Sequence, residues 1–239
     1  MCGRYASTRS PGDLSALFEA DDEIGDGLPP DYNIAPTDPV PIVRLSQRVG
    51  GRVLSLARWG LVPTWAADTS GAARMINARV ETVATARAFA SSFARRRCLV
   101  PADGWYEWLR VSARDKQAYF MTPRDGGVLA FAGLWSVWGS DRLLTSSIVT
   151  GPAVGELALV HDRMPLVLPP QRWAHWLTAP PDDAAALLAP PGEDTWRPST
   201  SGRSARASGT SATTDLILLS VYRRLLISRS FDLFRPPFR

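Results

Sequence analysis

The 239-residue sequence has little of what metal centres and cross-linked folds require. It holds two cysteines, Cys2 and Cys98, and two histidines, His161 and His175, scattered singly along the chain. A structural zinc site takes about four such ligands, commonly in close pairs, and two cysteines make no disulfide framework. No apolar run approaches the ~20 residues of a membrane span. The opening Met1-Cys2-Gly3-Arg4-Tyr5 leads straight into polar residues and does not read as a secretory signal. The expectation is a cytoplasmic protein with no metal, no cofactor and no membrane attachment.

Lysine is nearly absent too. Lys116 is the sole one, so the basic charge is almost all arginine. The formal net charge of +4 is unevenly spread: 19 basic residues face 21 acidic ones up to Trp196, whereas residues 197–239 carry 8 arginines against Asp215 and Asp232. A body so close to neutral must meet any polyanion through a few placed arginines, not a general basic field.

What is present is an ordinary globular composition, 45% hydrophobic and 21% charged, and a tail unlike the rest. Residues 197–214, RPSTSGRSARASGTSATT, lack aromatic residues and periodicity and cannot bury enough surface to offset their ordering entropy. Residues 215–234 turn apolar again. The tail reads as a disordered extension, with a basic nucleic-acid-binding arm or a shifted reading frame as alternatives.

In the body, residues 11–20 read as a helix with proline near its start. Strand patterns follow at 40–46, 52–59, 98–109, 117–122, 127–136 and 143–150, and helical ones at 80–94, 153–160, 170–178 and, between proline stops, 180–192. Strands and helices do not alternate as in a parallel βαβ sheet. This predicts one α+β domain over 1–196, with a mostly antiparallel, barrel-like sheet core and peripheral helices, and an atypical tail over 197–239.

Cys2 carries the first chemistry. Initiator methionine is readily removed ahead of a small residue, which would leave an α-amine and a thiol on adjacent atoms of one residue. In model compounds these titrate near ~7.7–8 and ~8.5, so both offer nucleophilic populations at neutral pH. With an aldehyde, the amine condenses to a Schiff base, the sulfur adds, and a five-membered thiazolidine closes, favoured by the high effective concentration of an intramolecular step.

Five further islands stand out: YNIAPT (32–37), RWGLVPTWA (58–66), NARVET (77–82), RRCLVPADGWYEW (96–108) and HDRMPLVL (161–168). With MCGRYA (1–6), these blocks in this order resemble the signature of the SRAP family, the abasic-site processing proteins also named SOS-response-associated peptidases. The resemblance covers roughly residues 1–180 and stops by about 196.

The resemblance implies a monomer that senses abasic sites in single-stranded DNA, associates with the nucleoid when bound, and forms a covalent thiazolidine crosslink through Cys2. The crosslink would shield the lesion during the SOS response. Peptidase action on its own N-terminus and abasic-site lyase activity are also ascribed to the family. It implies Cys2, Asn77, Glu107 and His161 as catalytic residues.

Weighed singly, each has a blander reading. Alternation sets Glu107 opposite Tyr106 and Trp108, as either an exposed strand charge or a buried proton carrier whose pKa burial would raise. His161 could be structural, or a base displayed on a loop ending in proline. Asn77 could cap the segment after it. Arg4, Arg79 and Arg163 each stand two residues after a catalytic candidate, suited to gripping phosphates. Trp65 and Trp108 are candidate stacking platforms and Pro36 a further DNA contact. Asn33 is expected to shape the turn before Pro36, Cys98 to be an inert core thiol, and His175 to lie on the surface. Two other activities open with Cys-Gly or a freed cysteine: an N-terminal-nucleophile amidohydrolase or glutamine amidotransferase, and an autoproteolytic peptidase.

Overall fold

The computed structural model describes residues 2–113, 115–123 and 126–189, so the sequence expectations for the tail lie outside the described residues. Its elements in chain order are β1 (Arg4–Ser7), α1 (Pro11–Phe18), β2 (Ala20–Asp22), β3 (Asp31–Ile34), β4 (Pro39–Ser46), β5 (Gly51–Trp59), β6 (Asn77–Arg79) and α2 (Ala90–Arg95). There follow β7 (Arg97–Ala102), β8 (Gly104–Arg110), β9 (Lys116–Met121), β10 (Leu129–Trp138), β11 (Leu143–Pro152), β12 (Arg163–Pro165), α3 (Pro170–Thr178) and α4 (Pro181–Ala186).

Strands β11, β10, β7, β4 and β5 pair antiparallel in that order. A short parallel contact, Thr145 with Arg58 and Ser146 with Trp59, joins β5 back to β11 and closes a five-stranded barrel. Closure removes the open edges that a sheet of this size would otherwise present. A second, four-stranded antiparallel sheet runs β3-β1-β8-β9. The expected α+β domain with a barrel core is therefore what the chain forms.

The period-2 alternation of the barrel strands sorts the core into two sides. Val40, Ile42, Cys98, Val100, Phe131 and Ile148 share a cluster with Tyr5 and Trp105 of the smaller sheet. Tyr5 packs edge-on against Trp59 at 5.1 Å between ring centres, and Trp105 against Phe131 at 5.9 Å. The other side, with Val43, Leu54, Leu99 and Ala132, is covered by Phe18 of α1, Phe93 of α2, and Trp173 and Trp176 of α3. Arg97 is buried there, and its guanidinium donates to the carbonyls of Trp176, Phe93 and Ala179, which tethers α3 to α2.

Several elements differ from the sequence reading. The expected strand over 98–109 is two strands, because at Asp103 the chain leaves the barrel and its amide bonds Ala6 of the smaller sheet at 2.8 Å. Only residues 90–95 of the helix expected over 80–94 form as α-helix. Val80 instead extends the β6 pairing through its amide to Thr150, and the β-branched run Thr82, Val83, Thr85 favours successive turns over a continuous helix. The segment expected as helix over 153–160 is a 3₁₀ turn at Gly155–Leu159. Gly104 has a steric reason: a Cβ there would collide with the Phe120 ring and the Met121 carbonyl.

Candidate active site

Cys2, two residues ahead of the first residue of β1, is fully buried. Its carbonyl accepts a hydrogen bond from Asn77 Nδ2 at 2.7 Å. Asn77 opens β6, which is held parallel to β11 by the pairs Asn77–Ile148 and Arg79–Thr150. β1 and β8 pair antiparallel with Arg4 opposite Tyr106 and Tyr5 opposite Trp105, so the chain ahead of Arg4 runs toward Glu107. Glu107 is 3% exposed and shares the inward face of β8 with Trp105, while Tyr106 and Trp108 face out. The alternative of an exposed strand charge is thereby removed.

Burial pushes the Glu107 carboxyl above the usual carboxylate range, opposed in part by the positive charge His161 can carry. Burial also drives the Cys2 thiol far above its ordinary value, and the nearby Glu107 carboxylate adds to this. In the folded chain with its leading residue attached, Cys2 is held as a neutral thiol. A thiol kept in that state becomes nucleophilic only when a neighbour takes its proton.

His161 follows the 3₁₀ turn, its amide bonded to Leu157 at 3.1 Å. Its Nδ1 lies 3.0 Å from the Arg163 amide and 2.8 Å from Asp162 Oδ1. Nδ1 accepts from that amide when the ring is neutral, which leaves the proton on Nε2, and it donates to Asp162 when the ring is protonated. The same ring position thus has a hydrogen-bond partner in either case.

The arginines differ in what they touch. Arg163 forks onto Glu81 at 2.6 and 3.0 Å and donates to the Thr150 carbonyl at 2.6 Å, so its charge is met within the protein. Arg79 is exposed at the end of β6. Arg4 lies on the outer face of β1 beside Tyr106 and donates to Asn33 Oδ1 at 3.0 Å. Asn33 therefore sits in β3 as an acceptor for Arg4, and the turn at Pro36 is instead fastened by Asp38, whose carboxylate accepts from the Ala35 amide at 2.8 Å.

Trp65 is 54% exposed, with the Arg87 guanidinium 4.3 Å above its ring centre, and its loop is anchored by Trp138 Nε1 on the Ala66 carbonyl. Trp108 is exposed on the face of β8 away from Glu107. Cys98 is a buried core thiol and His175 is exposed, both as expected. Glu81 and Arg87 were not singled out by the sequence. The position of Glu81 four residues past Asn77 is a faint signal, but its partner lies 82 residues away. Among the described residues, no cluster of His, Cys, Asp and Glu could hold a metal ion, and no helix is long and apolar enough to cross a membrane.

The family described as SOS response associated peptidase (SRAP) matches residues 1–200. The chain belongs to the SRAP family. It is 33% identical over 197 residues to the abasic site processing protein YoaM of Bacillus subtilis, covering 80% of this chain and 86% of that protein. It is likewise 33% identical over 210 residues to the abasic site processing protein YedK of Escherichia coli, with 83% and 91% covered. Solved structures share the fold. A protein from Bacteroides thetaiotaomicron superposes with a TM-score of 0.71 at 22% identity, covering 78% of this chain and 86% of that one. A phage-related protein from Bordetella bronchiseptica superposes with a TM-score of 0.61 at 31% identity, covering 78% and 87%.

Proposed function

We propose that this SRAP protein processes abasic sites in single-stranded DNA by capturing the ring-opened deoxyribose aldehyde on Cys2 as a thiazolidine. The observation that carries the reading is convergence. Asn77 bonds the Cys2 carbonyl, a charged Glu107 raises the Cys2 thiol, and a charged His161 favours the Glu107 carboxylate. These residues come from four separate segments of a chain with only two histidines and two cysteines.

The reaction starts once the leading methionine is gone. The free amine of Cys2 attacks the aldehyde carbon, and a proton passes to the oxygen to give a carbinolamine. Loss of that oxygen as water yields the Schiff base. The sulfur then adds to the imine carbon, its proton goes to the ring nitrogen, and the net change is aldehyde plus aminothiol to thiazolidine plus water. Glu107, which burial keeps protonated to higher pH than an ordinary carboxyl, supplies the proton for water loss. His161 is the shuttle that removes the proton of the amine or the thiol, and Asn77 holds the Cys2 backbone so that amine and sulfur both face the incoming carbon.

Arg79 grips a phosphate beside the lesion, Trp65 offers its open ring face to a flanking base, and Arg4 and Pro36 flank the same path. Arg163 serves through Glu81, by tying the Asn77 segment to the His161 segment.

The test is a single-stranded oligonucleotide whose uracil has been removed by a glycosylase, incubated with the protein and run on a denaturing gel, with intact mass. The expected result is one stable adduct whose mass equals protein plus DNA minus water. Glutaminase or peptide turnover without DNA, and no adduct, would replace this reading with an amidohydrolase or peptidase.

A further inference from the structure

We infer that the outer face of the β8–β9 hairpin, formed by Trp108, Arg110 and Lys116, is a second contact for single-stranded nucleic acid, on the reverse of the strand that carries Glu107. The inference rests on the DNA reading above and adds where the undamaged part of the strand lies.

Three observations carry it. Arg110 and Lys116 are direct cross-strand partners, and both are exposed. Like charges placed opposite each other weaken a strand pair, and neither makes an ion pair among the described residues. Lysine on an edge strand guards against strand addition, but that role does not call for arginine opposite it. Lys116 is moreover the only lysine in the chain. Asp115, at the tip, is the one carboxylate between Trp108 and Ala118, against Arg110, Arg114 and Lys116 in the same stretch, so the hairpin is net cationic on a nearly neutral body.

The neighbouring pair is Trp108 opposite Ala118. A 38% exposed indole facing a methyl group leaves its ring flank open, with two cations one step further along the same face. Bases stack on such rings while cations take the phosphates. The same face runs back toward the start of the chain: Arg4, two residues from Cys2, lies on it opposite Tyr106. On this reading a strand held at Cys2 passes Arg4 and Tyr106 to reach Trp108.

The experiment uses the full chain and a fluorescent oligothymidine of about 20 nucleotides, longer than the ~4–16 one small fold covers. For the double variant Arg110→Gln with Lys116→Gln, the slope of log affinity against log salt should fall by about 1.4, which is ~0.7 for each lost phosphate contact on a single strand. Its thermal midpoint should be unchanged or raised, since a repulsion is relieved. Trp108→Ala should weaken binding by about 5–150-fold, the equivalent of one stacked base. The double variant should capture an abasic site with one nucleotide on each side at the unaltered rate, and slow only with the long lesion strand. Equal salt slopes, unchanged binding by Trp108→Ala, or equal loss on short and long lesion strands would each overturn the inference. If the unaltered protein captured no abasic oligonucleotide at all, the proposed reaction would fail while the oligothymidine comparison still judged the hairpin.

Discussion

Asn77 donates from Nδ2 to the carbonyl oxygen of Cys2 at 2.7 Å, and through this bond β6 holds the start of the chain beside the barrel. Leaving a buried carbonyl unpaired costs about 1–3 kcal/mol. Asn77→Ala should therefore free the N-terminal segment and slow capture about 10–100-fold by losing alignment, with a modest fall in thermal midpoint. Asn77→Asp keeps the shape but sets oxygen against oxygen, and should be at least as slow. Single-turnover capture rates measured beside melting curves separate the two effects. A normal capture rate in both variants would remove Asn77 from the mechanism.

Cys2→Ala should abolish covalent capture. Weak, salt-sensitive binding of undamaged single strands should persist, because Arg79, Trp65 and the other proposed contacts remain. Denaturing gels read the first and anisotropy the second. An adduct that survived boiling in this variant would show that another nucleophile does the work.

These two residues also show what could be read without coordinates. Cys2, Asn77, Glu107 and His161 were singled out because the blocks that hold them resemble, in order, those of the SRAP family; taken singly, each had a blander reading. Alternation correctly set Glu107 apart from Tyr106 and Trp108. Which side faced inward depended on how the small sheet packs on the barrel, and that is decided by Tyr5 and Trp105 meeting Trp59 and Phe131. The break at Asp103 was hidden because strand propensity continues through it while the pairing partner changes. Arg163 illustrates the remaining difficulty: its spacing from His161 suggested a phosphate ligand, but a carboxylate 82 residues away occupies the guanidinium.

The Arg163–Glu81 fork makes a separate prediction. The guanidinium and its hydrogen bonds hold the Glu81 carboxyl below the usual carboxylate range. A depressed pKa contributes stability that is present above the ordinary value and lost as pH falls through the folded one. Because Glu81 is largely exposed, the contribution is small, about 0–1 kcal/mol. Arg163→Lys keeps the charge but loses the planar fork and the bond to Thr150. It should slow capture more than it lowers the melting midpoint, because the His161 loop is what it positions. A variant with normal capture and a large loss of stability would assign the pair to the fold alone.

Glu107 sets catalysis against stability. Its carboxyl is raised chiefly by burial, so the folded state binds that proton more tightly than the unfolded chain does. Stability from this group is full below the unfolded carboxyl value of about 4.3 and is lost as pH rises through the folded one. Glu107→Gln has no proton to lose, so its melting midpoint should fall less than that of the parent protein between acid and neutral pH, and should equal or exceed it at neutrality. Capture should slow by about 100-fold or more, within the range for a lost general acid. Melting curves of both proteins across that pH range, beside single-turnover rates, give the two readouts independently. A variant that is slower and also loses the same stability with pH as the parent would mean that another group titrates in the pocket, with His161 the next residue to change.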